Sequence, residues 1–379
     1  MYIYADHAST TPVRDAAVKA MTPYLSQIYG NPSSFHREGQ KASEALYMSR
    51  KTIASLLGCR PDELIFTSGG SEADVQALVS AAEYGYKIGK KHIVSTQIEH
   101  HAVLRTLGRL QALGFEVTLA PVDKNGIVDA DRLLDAVRDD TCLVSVMYAN
   151  NEIGTIQPVE KIGLECRRLS VPFHTDAVQA VGHMHIDVGA SHIDMLSASA
   201  HKFGGPKGVG FLYSRRGSIP AVPVIFGGPQ ENGRRAGTEN VPGAVGMAAA
   251  LGQASDFVKN GLKRVCSIRD LIISGLSRIP GSVLNGDAAN RLCGNISFCF
   301  EGIEAEALLL ALDQRGICAS SGSACTSGAV EPSHVLTAIG RPPSMGALRL
   351  TVGEDITGQQ AEYIVGAVTE SVAFLRGVG

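Results

Sequence analysis

The sequence predicts an α/β protein: a large domain built on a mostly parallel seven-stranded sheet flanked by helices, joined to a smaller α+β domain. Three observations carry this expectation. Short β-rich runs alternate with helix-like segments as far as residue 214, a pattern that places crossover helices on both faces of a parallel sheet. At 379 residues the chain exceeds the length at which one hydrophobic core keeps growing. From about residue 243 the pattern changes to a long helical stretch and a different order of elements.

The elements follow in order. After an extended start, SSFHREGQKASEALYMSRKTIASLLG (33–58) has helical spacing and stops on Gly58, a residue that tolerates the left-handed turn at a helix end. The strand candidates are ELIFTS (63–68), KHIVSTQ (91–97), FEVTLAPV (115–122), CLVSVMYAN (142–150), VPFHTDAV (171–178), IDMLSASA (193–200) and VGFLYS (209–214). One helical stretch is expected from about 243 to Pro280. It is followed by a strand (NISFCF, 295–300), a helix (EAEALLLALDQRG, 304–316), a glycine-serine loop and a final helix. The expected division is a large domain over 14–257 and a small domain made of 1–13 and 258–379. No internal repeat or low-complexity tract is visible.

Composition narrows the functional classes. Hydrophobic residues make up 45% and charged residues 19%, the range of a globular enzyme. A formal net charge of -3 offers no basic surface for nucleic acid or an anionic membrane, so small substrates and protein partners are expected instead. The eight cysteines fall at irregular spacings without any C-x-x-C pair, which argues against a disulfide framework and against a metal site. The start, MYIYADHASTTPV, lacks a basic segment followed by an apolar one, and no apolar run reaches membrane-spanning length. A cytoplasmic location with reduced thiols is the corresponding expectation.

Three stretches carry chemistry. In FTSGGSEAD (66–74), Gly69, Gly70 and Ser71 stand between a strand and a helix expected to begin at Glu72; open amides and a hydroxyl there suit an anion. Ser71 as a plain helix N-cap is the alternative reading. Asp176, in PFHTDAVQ, stands at a strand end with Gln179 one turn on, where a carboxylate holds a protonated heterocyclic nitrogen or caps a helix. Lys202, in SASAHKFGGPKG (197–208), also follows a strand end, wedged among small residues and glycines. Crowding of that kind disfavours the ammonium and frees the amine as a nucleophile. An anion cradle, an acid for a ring nitrogen and an imine-forming lysine match the phosphate, pyridinium and aldehyde of pyridoxal 5'-phosphate.

The longer motifs then bear on the family. YADHASTTPV (4–13), GNPSSFH (30–36), FTSGGSEAD, EHHAV (99–103), NNEIGTIQP (150–158), HTDAVQ (174–179), SAHKFGGPKG (199–208), RRAGTEN (234–240) and SSGSACTS (320–327) lie in one order along nearly the whole chain. In these stretches the sequence resembles the cysteine desulfurases of the NifS/IscS-like group, pyridoxal-phosphate enzymes of fold-type I in the class V aminotransferase superfamily.

The resemblance implies roles residue by residue. Lys202 would bond the cofactor aldehyde, Asp176 would pair the pyridinium nitrogen, and Gln179 would meet the ring hydroxyl. Gly70, Ser71, Ser199 and His201 would hold the phosphate, joined by Thr238 from across a homodimer interface. His100 would stack on the ring and help move protons, and Asn151 and Arg349 would grip the substrate carboxylate. Read without the family, His100 beside His101 is equally a polar pair heading a helix, and Arg349 a salt-bridge residue. Cys325, among glycines and serines, is expected on a solvent-reachable loop, whereas the other seven cysteines sit in apolar or helical settings. It would attack the sulfur of L-cysteine, release alanine and carry a persulfide to a protein acceptor for iron-sulfur cluster assembly or tRNA thiolation.

Two other readings stand beside this one: a selenocysteine lyase or other class V aminotransferase-like enzyme, and a non-catalytic scaffold on the same fold. Departures from the family pattern are Ser71 where threonine is common, Val75 where asparagine is common, and Pro229 in place of a third glycine. The chain also ends soon after its last helix, which implies that the C-terminal extension used by some relatives to dock a scaffold protein is absent and leaves the acceptor open.

Overall fold

The structure is a computed structural model and describes residues 1–321 and 333–378. Its strands are β1 (Ile3–Tyr4), β2 (Leu64–Thr67), β3 (His92–Thr96), β4 (Glu116–Ala120), β5 (Thr141–Ser145), β6 (Phe173–Asp176), β7 (Met195–Ser199), β8 (Gly210–Ser214), β9 (Ser282–Leu284), β10 (Asn295–Phe300), β11 (Ile317–Cys318) and β12 (Gly346–Thr351). β2 to β8 form one sheet in the order β2-β8-β7-β6-β5-β3-β4. Every pairing in it is parallel except those of β8, which runs antiparallel to β2 and β7. Residues on both faces of β3, β5, β6 and β7 are buried, the pattern of a sheet covered on both sides.

Parallel strands need crossovers, and helices such as Gly70–Lys87, His101–Ala112 and Val159–Arg168 supply them. Because β8 reverses twice, β2 ends at the same edge of the sheet as β3, β5, β6 and β7. The turns that follow these five strands therefore gather at one carboxyl edge, where ligands collect in open α/β sheets.

Two larger apolar cores separate the molecule. One contains Phe66, Val144, Phe173, Leu196 and Phe211 of the sheet, with Met247 and Leu251 of a covering helix. The other contains Phe298 and Phe300 of β10, Leu348 and Leu350 of β12, Ile272 and Leu276, and also Ile3 and Ala5 from the chain's start. Here β12, β10 and β9 form an antiparallel sheet, and β1 pairs with β11.

The expected single helix from 243 to 280 is two helices, Val241–Asn260 and Leu262–Leu276. Gly261 separates them: its N–H bonds to the Phe257 carbonyl at 2.7 Å, and a Cβ there would lie 2.2 Å from the Phe257 ring. Periodicity continues across that break, which is why the sequence reads as one helix. The first helix packs on the sheet core and the second on the other core.

Candidate active site

A cleft of about 390 Å³ opens at the carboxyl edge of the sheet, in the size range of small-molecule sites. Gly70, Ser71, His100, Asn151, Asp176, Gln179, Ser199, His201, Lys202 and Arg349 all line it, together with Ala8, Ser9, Asp74 and Met147. Sequence separation between the first and last of these exceeds three hundred residues, so only the strand order brings them together.

One corner suits an anion. The helix after β2 starts at Gly70, two residues before the expected Glu72, because Gly69 serves as its N-cap with φ 155° and ψ -174°, a region almost closed to other residues. Ser71 therefore lies in the first turn and is not the N-cap, which removes that alternative. By helix geometry the first N–H groups of this turn have no partner within the helix. The Ser199 hydroxyl stands 3.5 Å from where a Gly69 Cβ would be, and a Cβ at Gly70 would come within 2.5 Å of Val178. Opposite, burial and the neighbouring Lys202 and Lys207 push the His201 imidazole down to about 4, so it is neutral near pH 7. Its Nδ1 lies 3.1 Å from the Thr10 hydroxyl.

The floor holds Asp176, the last residue of β6. One oxygen accepts the Val178 N–H at 3.0 Å, a local turn that fixes the carboxylate; no helix follows β6, so Asp176 is not a helix cap. Burial raises its pKa, while the charges of His100 and Lys202 and the Val178 N–H oppose the rise. The Gln179 side-chain amide donates to the Ala8 carbonyl at 3.0 Å. His100 is the N-cap of the His101–Ala112 helix, its Nδ1 accepting the Ala102 N–H at 3.1 Å. His100 thus heads a helix, and that bond leaves its neutral proton on Nε2 while the residue lines the cleft.

Lys202 follows β7 on a single helical turn, Ala200–Lys202. Its Nζ donates to the Ala8 carbonyl at 2.6 Å and the Ser9 carbonyl at 2.8 Å. The N-terminal segment thus wraps the lysine turn, and Thr11 Oγ tightens it by donating to the His201 carbonyl at 2.8 Å. The tight space read from the sequence is real: a Cβ at Gly205 would lie 2.7 Å from that of Ala200 and 2.9 Å from its carbonyl oxygen.

Arg349, in the middle of β12, is buried with its guanidinium at the far wall. It donates to the Asn151 carbonyl (3.1 Å), the Asp6 carboxylate (2.9 Å) and the Ser9 hydroxyl (2.7 Å). It is thus a salt-bridge residue and a cleft residue together. Its Nε is buried without a partner, an unused donor suited to a carboxylate ligand.

Two expected residues are not in the cleft. Thr238 lines a separate recess of about 200 Å³ with Thr67, Ser68 and Arg235. Within one chain it does not reach the anion corner, and the role implied for it is one it would play on a second copy. Cys325 lies outside the described residues. The seven cysteines within them are all free thiols, four of them half-buried. Val75 and Pro229 do not line the cleft.

Sequence reasoning missed Asp6, Ala8, Ser9 and Asp74. The first three come from a segment whose motif gave no chemistry: the Ala8 and Ser9 carbonyls that meet Lys202 carry no residue signature, and the Asp6 and Ser9 side chains meet Arg349 only through the fold. Asp74 had a signal: it stands four residues after Gly70 on the same helix face.

The residues fit pyridoxal phosphate on this structure's own terms: an N-terminal helix turn that a Cβ would close, a buried carboxylate, a confined lysine amine and an unpaired arginine donor. Among known proteins, the Aminotransferase class-V family matches residues 3–363. The protein named "Cysteine desulfurase IscS" of Methanosarcina thermophila is 48% identical over 376 residues, covering 99% of this chain and 93% of its own. A solved structure described as "NIFS-LIKE PROTEIN" superposes with a TM-score of 0.92 at 36% identity, covering 99% of this chain and all of its own (100%). Another, "SspA in complex with cysteine", gives 0.81 at 34% identity over 92% of this chain and 98% of its own. With its cleft residues in place and the match running almost end to end, the chain belongs to the class-V aminotransferase family.

Proposed function

We propose that the chain is a pyridoxal-phosphate-dependent cysteine desulfurase, which takes sulfur from L-cysteine, releases L-alanine and carries the sulfur as a persulfide on Cys325. The observation that carries this reading is the convergence of Lys202, Asp176 and the Gly70–Ser71 turn on one cleft with an unpaired Arg349 donor. The relatives named as cysteine desulfurases, and the neighbour solved with cysteine, supply the substrate.

When bound, pyridoxal phosphate supplies an electron sink that stabilises negative charge next to the substrate's amine-bearing carbon. Gly70, Ser71, Ser199 and His201 hold the phosphate, with Thr238 reaching the same corner from a second copy in a homodimer. Asp176 keeps the ring nitrogen protonated. Lys202 would hold the cofactor aldehyde and, as a free amine, would take and return the substrate α-proton. Arg349 receives the substrate carboxylate, with Asn151 beside it. His100, with its Nε2 proton, serves proton movement at the ring.

Cys325 thiolate would attack the substrate sulfur; the S–S bond forms as the C–S bond breaks, its electron pair stays with the substrate carbon, and that carbon takes up a proton to become the methyl group of alanine, leaving the persulfide on the enzyme. An ordinary thiol is only a few per cent ionised at neutral pH, so the proton must pass to a base in the cleft. The division into a large domain over 14–257 and a small domain of 1–13 with 258–379 suits this chemistry, since Arg349 and Cys325 would belong to the small domain and Lys202 to the large one. Delivery is to a protein acceptor, in the cytoplasm. No helix among the described residues is long and apolar enough to cross a membrane.

The test is direct. Purified protein supplied with pyridoxal phosphate should gain a visible absorbance band that Lys202→Ala abolishes, and should convert L-cysteine to alanine. A protein that gains no band is the scaffold of the third reading. One that acts on selenocysteine alone, or still acts on cysteine as Cys325→Ala, is a lyase or aminotransferase-like enzyme instead.

A further inference from the structure

Behind Asp176 lies a second carboxyl that the reaction above does not use. Asp74 is 1% exposed and lines the cleft. Carboxylate oxygens of Asp74 and Asp176 and a ring nitrogen of His100 all lie within 4.8 Å of one another. Two ionised carboxylates that close in a dry site repel strongly, so one proton belongs to the pair.

The surroundings decide which residue holds it. Asp176 has the Val178 N–H at 3.0 Å and is faced by His100 and Lys202, all of which favour its charge. Asp74 Oδ1 is buried with no hydrogen-bond partner. The other groups facing it are Ser197 on β7, whose hydroxyl favours the Asp74 charge but less than burial and the Asp176 charge oppose it, His174 on β6 and Glu99 before His100. His174 Nε2 is 3.7 Å from Asp74 Oδ1, beyond hydrogen-bond range. That imidazole is already engaged by two hydroxyls, Ser145 Oγ at 2.9 Å and Ser197 Oγ at 3.1 Å. Burial holds it down to about 3, so it supplies no cation. Glu99 is itself a buried acid, pushed up to about 8 by burial, so it supplies no positive charge to Asp74 either.

We propose that Asp74 is a positioning residue that remains an un-ionised carboxylic acid behind Asp176, so that the cleft floor presents one negative charge to a protonated ring nitrogen rather than two. A second carboxylate would make Asp176 a stronger base, and the proton would then settle on Asp176 instead of the ring. With Asp74 neutral, the ring keeps it. This role rests on the pyridoxal-phosphate reading; the protonation of Asp74 does not.

The test compares wild type with Asp74→Asn and Asp74→Ser, as cofactor-free protein carrying ¹³C-carboxyl aspartate. Infrared difference spectra at pH 7 should show the carbonyl stretch of an un-ionised aspartic acid in wild type and its loss in each variant; the serine variant provides the subtraction if the asparagine one does not fold. Absence of that stretch in wild type, or its persistence in the variants, overturns the proposal. In the second arm, Asp74→Asn should bind added pyridoxal phosphate within about tenfold of wild type, as exchange of one neutral hydrogen-bonding group for another allows. A larger loss means that a charge was removed and also overturns it. If wild type binds no pyridoxal phosphate, the functional reading fails while the infrared result still decides the state of Asp74.

Discussion

Ser320 and Arg349 exchange both backbone hydrogen bonds: the Ser320 N–H meets the Arg349 carbonyl at 3.1 Å, and the Arg349 N–H meets the Ser320 carbonyl at 2.6 Å. The stretch that carries Cys325 therefore starts beside Arg349, the residue proposed to hold the substrate carboxylate. At its far side, the Ser333 hydroxyl donates to Glu152 at 2.5 Å and His334 Nε2 meets the Glu99 carbonyl at 2.9 Å. Glu152 adjoins Asn151 and Glu99 adjoins His100. Cys325 is five positions beyond Ser320, and an extended chain of that length spans roughly 17 Å.

From this follows the effect of removing the thiol. Cys325→Ala should lower alanine formation from L-cysteine by at least roughly 100-fold, since loss of a nucleophile removes a whole step. Pyridoxal-phosphate binding should be unchanged. The paired readout is alanine release against titration of the absorbance band.

Arg349→Lys keeps the charge and loses the planar fork. It should lower kcat/KM for L-cysteine by roughly 10- to 100-fold, the range of one charge-assisted hydrogen bond, and do so mainly through KM. Steady-state kinetics decide it; an effect confined to kcat would remove Arg349 from substrate binding.

Glu99 predicts a pH dependence. Burial pushes its carboxyl up to about 8, against the Thr96 hydroxyl and the Met147 N–H, which favour its charge. The folded state therefore binds this proton more tightly than the unfolded chain. The stability it contributes is complete below about pH 4.5 and is lost as pH rises toward about 8. In Glu99→Gln, whose carbonyl still accepts both bonds, cofactor-free protein should lose less stability between pH 5 and pH 8, by roughly 2–5 kcal/mol. Denaturant titrations across that range measure the difference; identical slopes would place the Glu99 charge in the folded state.

Gly205→Ala tests the confinement of the lysine turn. The added methyl meets the Ala200 Cβ and carbonyl at under 3 Å. Overpacking of that kind costs about 1–3 kcal/mol, visible as a lowered Tm, and displacement of Lys202 should weaken retention of pyridoxal phosphate.

Much of this was legible before any coordinates, for reasons that differ by residue. Each strand of the large sheet carries at least one Val, Ile, Leu or Phe and all but β4 end on a polar residue, so Asp176 and Lys202 could be placed at strand ends from pattern alone. Arg349 could not, because β12 alternates only partly and its role depends on a strand from the other core meeting Asp6 and Ser9. The break at Gly261 was hidden by unbroken helical spacing. The Ala8 and Ser9 carbonyls that hold Lys202 are backbone atoms, which no residue pattern announces.

In the proposed reaction sulfur passes from L-cysteine to Cys325. Protein loaded with pyridoxal phosphate should be treated with L-cysteine, trapped with a thiol-alkylating reagent and digested, and each cysteine peptide weighed. The Cys325 peptide should carry one extra sulfur atom, formed in step with alanine and absent in Lys202→Ala. Alanine formed while that peptide stays unmodified, or while the extra sulfur rides on another cysteine, would contradict it.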